Sequence, residues 1–251
     1  YFGFNQFGID VGFAPPWSPS SGGPGSLVEP EEPIEIYTCG DLKNIESDMS
    51  ASYVLMNDLD CGDFEPIGNT RGAFTGKFDG QGNSVSYSFF TNTLGNIGLF
   101  SKLGENGLIE NLHVHASYVN GVNNVGAVVG HVYKGTLRQV YSTGFVESKS
   151  ASGGGSGGIV GALKSGKLLN SYSFAAVQGD ERTGMLVGGM WHYPDDEPKS
   201  VIENSYASGR IDAKSEDSIG GLVGYCNEGN EIITDSYWNS DKYRTVDNGC
   251  G

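Results

Sequence analysis

The chain has 251 residues, 40 of them glycine, and sets 30 acidic against 15 basic side chains for a net charge of −15. With no cationic stripe to neutralise phosphates, the charge argues against nucleic acid as a partner and disfavours anionic membrane surfaces. No apolar run reaches the roughly 18 residues of a membrane-spanning helix, so no transmembrane segment is expected. An apolar fraction of 37% beside so much glycine predicts many tight turns around a thin core. The chain opens on Tyr1 rather than Met, which reads as a processed or truncated product.

Residues 1–33 form the first region. Phe2, Phe4, Phe7, Ile9, Val11 and Phe13 alternate with glycine or polar residues, with one slip between Phe4 and Phe7, and predict an extended apolar strand. Pro15, Pro16, Pro19, Pro24, Pro30 and Pro33, spaced by Ser and Gly, predict an extended linker behind it. An apolar strand must be buried somewhere, and three placements are open. It folds back as a cap, it is the tail of an upstream domain, or it adds to a sheet edge of another copy. The last placement gives a head-to-tail contact that does not close, hence a filament.

Residues 34–251 form the second region. A short capping helix is predicted at Asp41–Met49, where Leu42, Ile45 and Met49 share a face. Irregular turns follow at Gly68-Asn69, Asp79-Gly80 and Gly82-Asn83. From residue 97 onward a two-part phrase repeats. Its fullest forms are Gly157-Gly158-Ile159-Val160-Gly161 with Leu168-Leu169-Asn170-Ser171-Tyr172, and Gly220-Gly221-Leu222-Val223-Gly224 with Ile233-Thr234-Asp235-Ser236-Tyr237. The aromatic positions His113, Tyr141, Tyr172, Tyr206 and Tyr237 lie about 30 residues apart, a period that signals a solenoid.

Aligned as columns, the copies give Ile109, Leu137, Leu168, Ile202 and Ile233, then Asn111, Gln139, Asn170, Asn204 and Asp235, then the aromatic set. Coils of a β-solenoid stack about 4.8 Å apart, so amides are expected to form hydrogen-bonded ladders and rings to stack. Leu99, Val128, Ile159, Leu186 and Leu222 make a further apolar column, flanked by glycines that permit corners and close backbone approach. The fold expected is all-β, a right-handed β-helix of about 30-residue repeats preceded by an extended strand and linker. Residues 148–158 and 191–199 read as surface insertions.

Few side chains offer chemistry. Asp58, Asp60 and Asp63 around Cys61, with Asp79, could ligate Ca²⁺, the single cofactor the sequence suggests. The rival reading, carboxylates capping turns, is favoured because no Asp-x-Asp-x-Asp-Gly loop is present. Asp195, Asp196 and Glu197 take the same reading. His113 and His115 share a strand face but lack a third metal ligand in the sequence. Tyr141, Tyr172, Tyr206 and Tyr237 would suit sugar rings or an apolar surface if they face outward, and would be core if inward. Residue parity leaves that open, since a bend after the amide position would reverse it. The repeated strands carry no paired acids or acid–base set of the kind glycosidic chemistry needs.

Four cysteines allow three connectivities. Pairing neighbours, Cys39 with Cys61 and Cys226 with Cys250, would close a short loop at each end of the solenoid. With no Cys-x-x-Cys spacing, disulfides and an oxidising compartment are preferred to zinc.

The "GGLVG … I-x-N-S-Y-A" phrase resembles the GLUG repeat of bacterial surface adhesins and of some secreted immunoglobulin-cleaving peptidases. Asp41-Leu42, Tyr53–Asp60, Pro66-Ile67-Gly68 and Phe74–Gly82 resemble the opening rungs that precede such repeats, and Ser236-Tyr237-Trp238-Asn239 the last. The resemblance covers roughly residues 34–251. It implies a secreted or cell-surface scaffold with a structural or adhesive role, whose partners are other copies of itself, surface glycans or host surface proteins. A carbohydrate-binding module using the tyrosine column and a polysaccharide-active β-helix enzyme are the alternatives. No His-Glu-x-x-His motif supports a metallopeptidase.

Overall fold

The computed structural model describes residues 32–149, 154–191, 198–214, 219–227 and 231–239. The apolar strand Phe2–Phe13, most of the linker, the acidic residues Asp195–Glu197 and Cys250 lie outside the described residues. All of the described residues belong to the unit Glu32–Gly251.

Parallel strands stack coil on coil into a β-solenoid of about five turns, the expected right-handed β-helix. One coil shows how the sequence winds. Val160–Lys164 runs in a five-stranded sheet, Ser165 turns the chain with φ 51°, and Lys167–Leu169 enters a large sheet. Asn170 turns it again with φ 50°, and Tyr172–Ser173 and Ala176–Gly179 continue the large sheet. After Arg182, with φ 48°, Thr183–Gly184 joins a four-stranded sheet, and Val187–Trp191 then lies in register on Val160–Lys164.

The amide column owes its composition to this corner. Asn111, Gln139, Asn170, Asn204 and Asp235 all hold φ between 48° and 54°. Asn and Asp tolerate that left-handed backbone better than other residues with a Cβ. The expected amide ladder does not form among them: Asn111 donates to Asp79 and Asn204 to Glu203. The ladder is built instead by the next residue. The Ser171 hydroxyl accepts from the Val140 amide and donates to the Leu169 carbonyl. The Ser205 hydroxyl accepts from the Ser171 amide and Ser236 from the Ser205 amide, so each serine bridges adjacent coils.

The core runs along the stack. Ile109 pairs in register with Leu137, Leu137 with Leu168, Leu168 with Ile202, and Ile202 with Ile233. The first four are fully buried. The column continues upstream through Phe78 and Tyr53, so the irregular opening coils share one register with the repeats. Aromatic side chains fill that end, with Phe74 5.1 Å from Phe100 and Phe78 5.4 Å from it. On the other wall Leu99, Val128, Ile159 and Leu186 are wholly buried and Leu222 is buried. The closing glycine of each phrase faces backbone: a Cβ on Gly130 would strike Asn96 and Ile97, and one on Gly161 would strike Asn124 and Val125.

The capping helix is Cys39–Asn44, continued by a 3-10 turn at Ile45–Ser47, earlier and shorter than the expected Asp41–Met49. Thr38 sets its start through a reciprocal capping box with Asp41, a signal that lies before the apolar face. Leu42 and Ile45 are fully buried at the end of the stack, and Met49 packs against the core from outside the helix. A Cys39–Cys61 disulfide with Cα atoms 5.6 Å apart ties this helix to the strand Leu59–Asp63. Closing that loop contributes roughly 3 kcal/mol on a chain-entropy basis. Cys226 is disulfide-bonded as well.

Candidate functional site

The left-handed corner decides which way the tyrosines face. Leu168 points inward; the bend at Asn170 shifts the alternation by one, so Ser171 and Ser173 turn in while Tyr172 and Phe174 turn out. His113, Tyr141, Tyr172, Tyr206 and Tyr237 then stand in one register on the outer surface of the large sheet. Four steps of about 4.8 Å make a stripe roughly 19 Å long.

The rings touch from His113 to Tyr206. Tyr141 and Tyr172 stack with centroids 4.3 Å apart, and His113 lies 6.0 Å from Tyr141. Phe174 meets Tyr172 edge-on at 5.5 Å and Tyr206 at 6.3 Å, closing the gap between coils. Tyr172, Phe174, Tyr206 and Tyr237 are exposed at 37, 49, 39 and 65%. A parallel stack, Phe90, Tyr118 and Phe145, runs beside it with centroids 6.4 and 5.7 Å apart. Its central Tyr118 donates to Glu147, and that hydrogen bond, with burial, pushes the phenol up to about 12. Thr143 joins two histidines at the start of the stripe, within 2.9 Å of His115 Nδ1 and 3.5 Å of His113 Nε2. Burial, then the neighbouring His115, hold His113 below the usual histidine value, while Asp58 pulls the other way. The stripe therefore presents an almost uncharged, flat aromatic surface near neutral pH.

Phe174 and the Phe90–Tyr118–Phe145 stack are absent from the candidates read in the sequence. Phe174 was legible, two residues after Tyr172 on the same strand face. The second stack was not, because its members come from one opening coil and two repeats and share no repeated phrase.

Among the aspartate candidates, three accept hydrogen bonds from nearby residues. Asp58 accepts from the amide and hydroxyl of Ser84, and Asp60 from the Gly62 amide. Asp79 accepts from the Gln81 amide and from Asn111. Asp63 belongs to the strand Leu59–Asp63. Among the described residues no group of three His, Cys, Asp or Glu side chains is placed to hold a metal ion. No helix among them is long and apolar enough to cross a membrane.

No family model matches the chain. It is 34% identical to "Halomucin" of Haloquadratum walsbyi over an alignment of 164 residues that covers 58% of this chain. It is 34% identical to a "Putative Gly-rich membrane protein" of Evansella cellulosilytica over an alignment of 121 residues that covers 44% of this chain. The matches take in only 2% and 14% of those two relatives. Its fold is similar to a crystal structure titled "putative immunoglobulin A1 protease" from Bacteroides ovatus, with a TM-score of 0.57 and 20% identity over 82% of this chain and 75% of the other. That likeness is one of fold alone.

Proposed function

We propose that this chain is a non-catalytic, surface-displayed adhesive module of GLUG type, and that the tyrosine stripe is its contact face. The observation that carries this reading is the outward aromatic stripe, in ring contact from His113 to Tyr206 and standing over a core that is wholly buried. Large aromatic faces left in water suit the apolar faces of sugar rings. The Cys39–Cys61 disulfide agrees with an oxidising, extracellular compartment. The similarity to a protein named for a membrane agrees with display at a cell surface.

The test is a Tyr172→Ser/Tyr206→Ser variant probed beside the parent chain on an array of neutral and acidic glycans and on intact bacterial and host cells. Both positions are exposed, so the fold is expected to survive, and binding to at least one surface is expected to fall about tenfold or more. Binding left unchanged on every surface sinks the reading.

A second reading concerns assembly. Among the described residues, Ile34–Ile36 pairs on one side only, as do Glu231–Thr234 and Tyr237–Trp238 at the other end. Ile34 is 50% exposed and Ile232 41%. Such edges invite strand addition, and residues 1–14 would supply the strand for a head-to-tail fibre of copies. Light scattering and negative-stain microscopy of the whole chain should then show oligomers that vanish in a chain beginning at Ile34. Monomers in both samples would remove this reading.

A further inference from the structure

The aromatic column changes character at its first coil. Tyr141, Tyr172, Tyr206 and Tyr237 are phenols, whereas the register position before them holds His113, and the next outward residue on the same strand is His115. Stacking alone would be served as well by a fifth tyrosine. The two imidazoles also turn toward one atom. The Thr143 hydroxyl, on the neighbouring coil in register with His115, lies 2.9 Å from His115 Nδ1 and 3.5 Å from His113 Nε2.

A hydroxyl with one proton and two lone pairs can hydrogen-bond both rings, and the same geometry suits a metal ion. Tetrahedral bonds of about 2.0–2.1 Å place ligand atoms about 3.3–3.4 Å apart. Two edges of the triangle formed by His115 Nδ1, His113 Nε2 and Thr143 Oγ1, at 2.9 and 3.5 Å, bracket that separation. Either ring nitrogen of a neutral imidazole ligates metals. On the other side His113 pairs in register with Ser84, whose amide and hydroxyl hold the Asp58 carboxylate. That carboxylate favours positive charge at His113, and so favours a cation bound to it.

We propose that His113, His115 and Thr143 form an open site for a divalent transition metal of the zinc type, with the fourth position left to water or to a group on a partner. Imidazole nitrogens select such metals, whereas Ca²⁺ and Mg²⁺ prefer oxygen ligands. Among the described residues no third His, Cys, Asp or Glu side chain joins the two histidines, so the ion is held weakly and exchanges. His115 is exposed and His113 half-buried, which gives the ion access from solvent at the end of the tyrosine stripe. The site stands independently of the adhesive role proposed for the stripe.

The test is a ZnCl₂ titration of the whole chain near neutral pH, read from the ring resonances of each histidine by NMR. Those of His113 and His115 should shift together, and CaCl₂ should leave both unmoved. His115→Gln, read at His113, and His113→Phe, read at His115, should each weaken binding about tenfold or more. The phenylalanine keeps a ring against Tyr141, so the stack is retained, and thermal melts check the fold of every variant. Thr143→Val should weaken binding about threefold or more, and Thr143→Ser should restore it. The Tyr172→Ser/Tyr206→Ser variant should bind Zn²⁺ as the parent does, whatever becomes of its adhesion. Unmoved His113 and His115 resonances, an equal response to Ca²⁺, or parental affinity in either histidine variant or in Thr143→Val would each overturn the proposal.

Discussion

The large sheet and the five-stranded sheet are wound from the same coils, yet their outer rows obey different rules. On the large sheet the row is His113, Tyr141, Tyr172, Tyr206 and Tyr237, aromatic in every coil and stacked as tightly as 4.3 Å. On the five-stranded sheet it is Lys102, His131, Ala162, Gly189 and Tyr225, with no type repeated. Stacking itself rewards repetition, since like rings pack face to face on like rings about 4.8 Å away. A repeated outer row is therefore partly explained by the scaffold. A row that departs from the repeat receives no such benefit, and its residues must answer to something else. The stripe is a repeated aromatic surface; the row on the five-stranded sheet is a mixed one.

Both faces stand on one interior, and the largest expected effect breaks them together. Leu168 is fully buried in the aliphatic column between Leu137 and Ile202. Leu168→Ala should cost about 3 kcal/mol, the lost transfer of the side chain plus the cavity left in a stack too thin to collapse around it. Urea unfolding should show the fall. Tyr172→Ala, four residues on but outward, should cost well under half as much. Equal losses would mean that the stripe is a structural stack rather than a surface held in readiness.

The period, the inward aliphatic columns and the all-β coil were legible because burial in a solenoid acts on every coil alike, so it writes itself into the sequence as columns. The facing of the tyrosines was not. It depends on the φ of 50° at Asn170, and an Asn there reads equally well as a left-handed corner or as a ladder rung. The Ser171–Ser205–Ser236 ladder was overlooked for a related reason: a small polar residue beside a larger amide draws less notice, although Ser171 and Ser205 are buried against the next coil and the amides before them are exposed. The cleft over the five-stranded sheet, lined by residues of several coils, was hidden altogether. Lys102, His131, Tyr133, Lys164 and Trp191 come from four coils and obey no period, so only the register of the strands gathers them. The aliphatic column written beside them was what the repeat could disclose.

The smallest expected effect sharpens the contrast through pH. His131 on the five-stranded sheet is held at about 4, by burial first and then by Lys102 and Lys164. The unfolded chain takes up that proton near the ordinary value of about 6.5, so between those values the unfolded state binds more protons than the folded one. Stability due to this group is therefore fully present above about pH 6.5 and is lost as the pH falls toward 4, on the order of 2 kcal/mol once partial solvent screening is discounted. His131→Gln should flatten that part of the stability–pH curve. The same substitution at His113, on the stripe, should flatten it less, because there Asp58 opposes the effects of burial and His115. Histidine titrations by NMR would check the order directly: His131 is expected to titrate below His113, and the reverse order would mean that burial, the first cause at both rings, is not the stronger at His131.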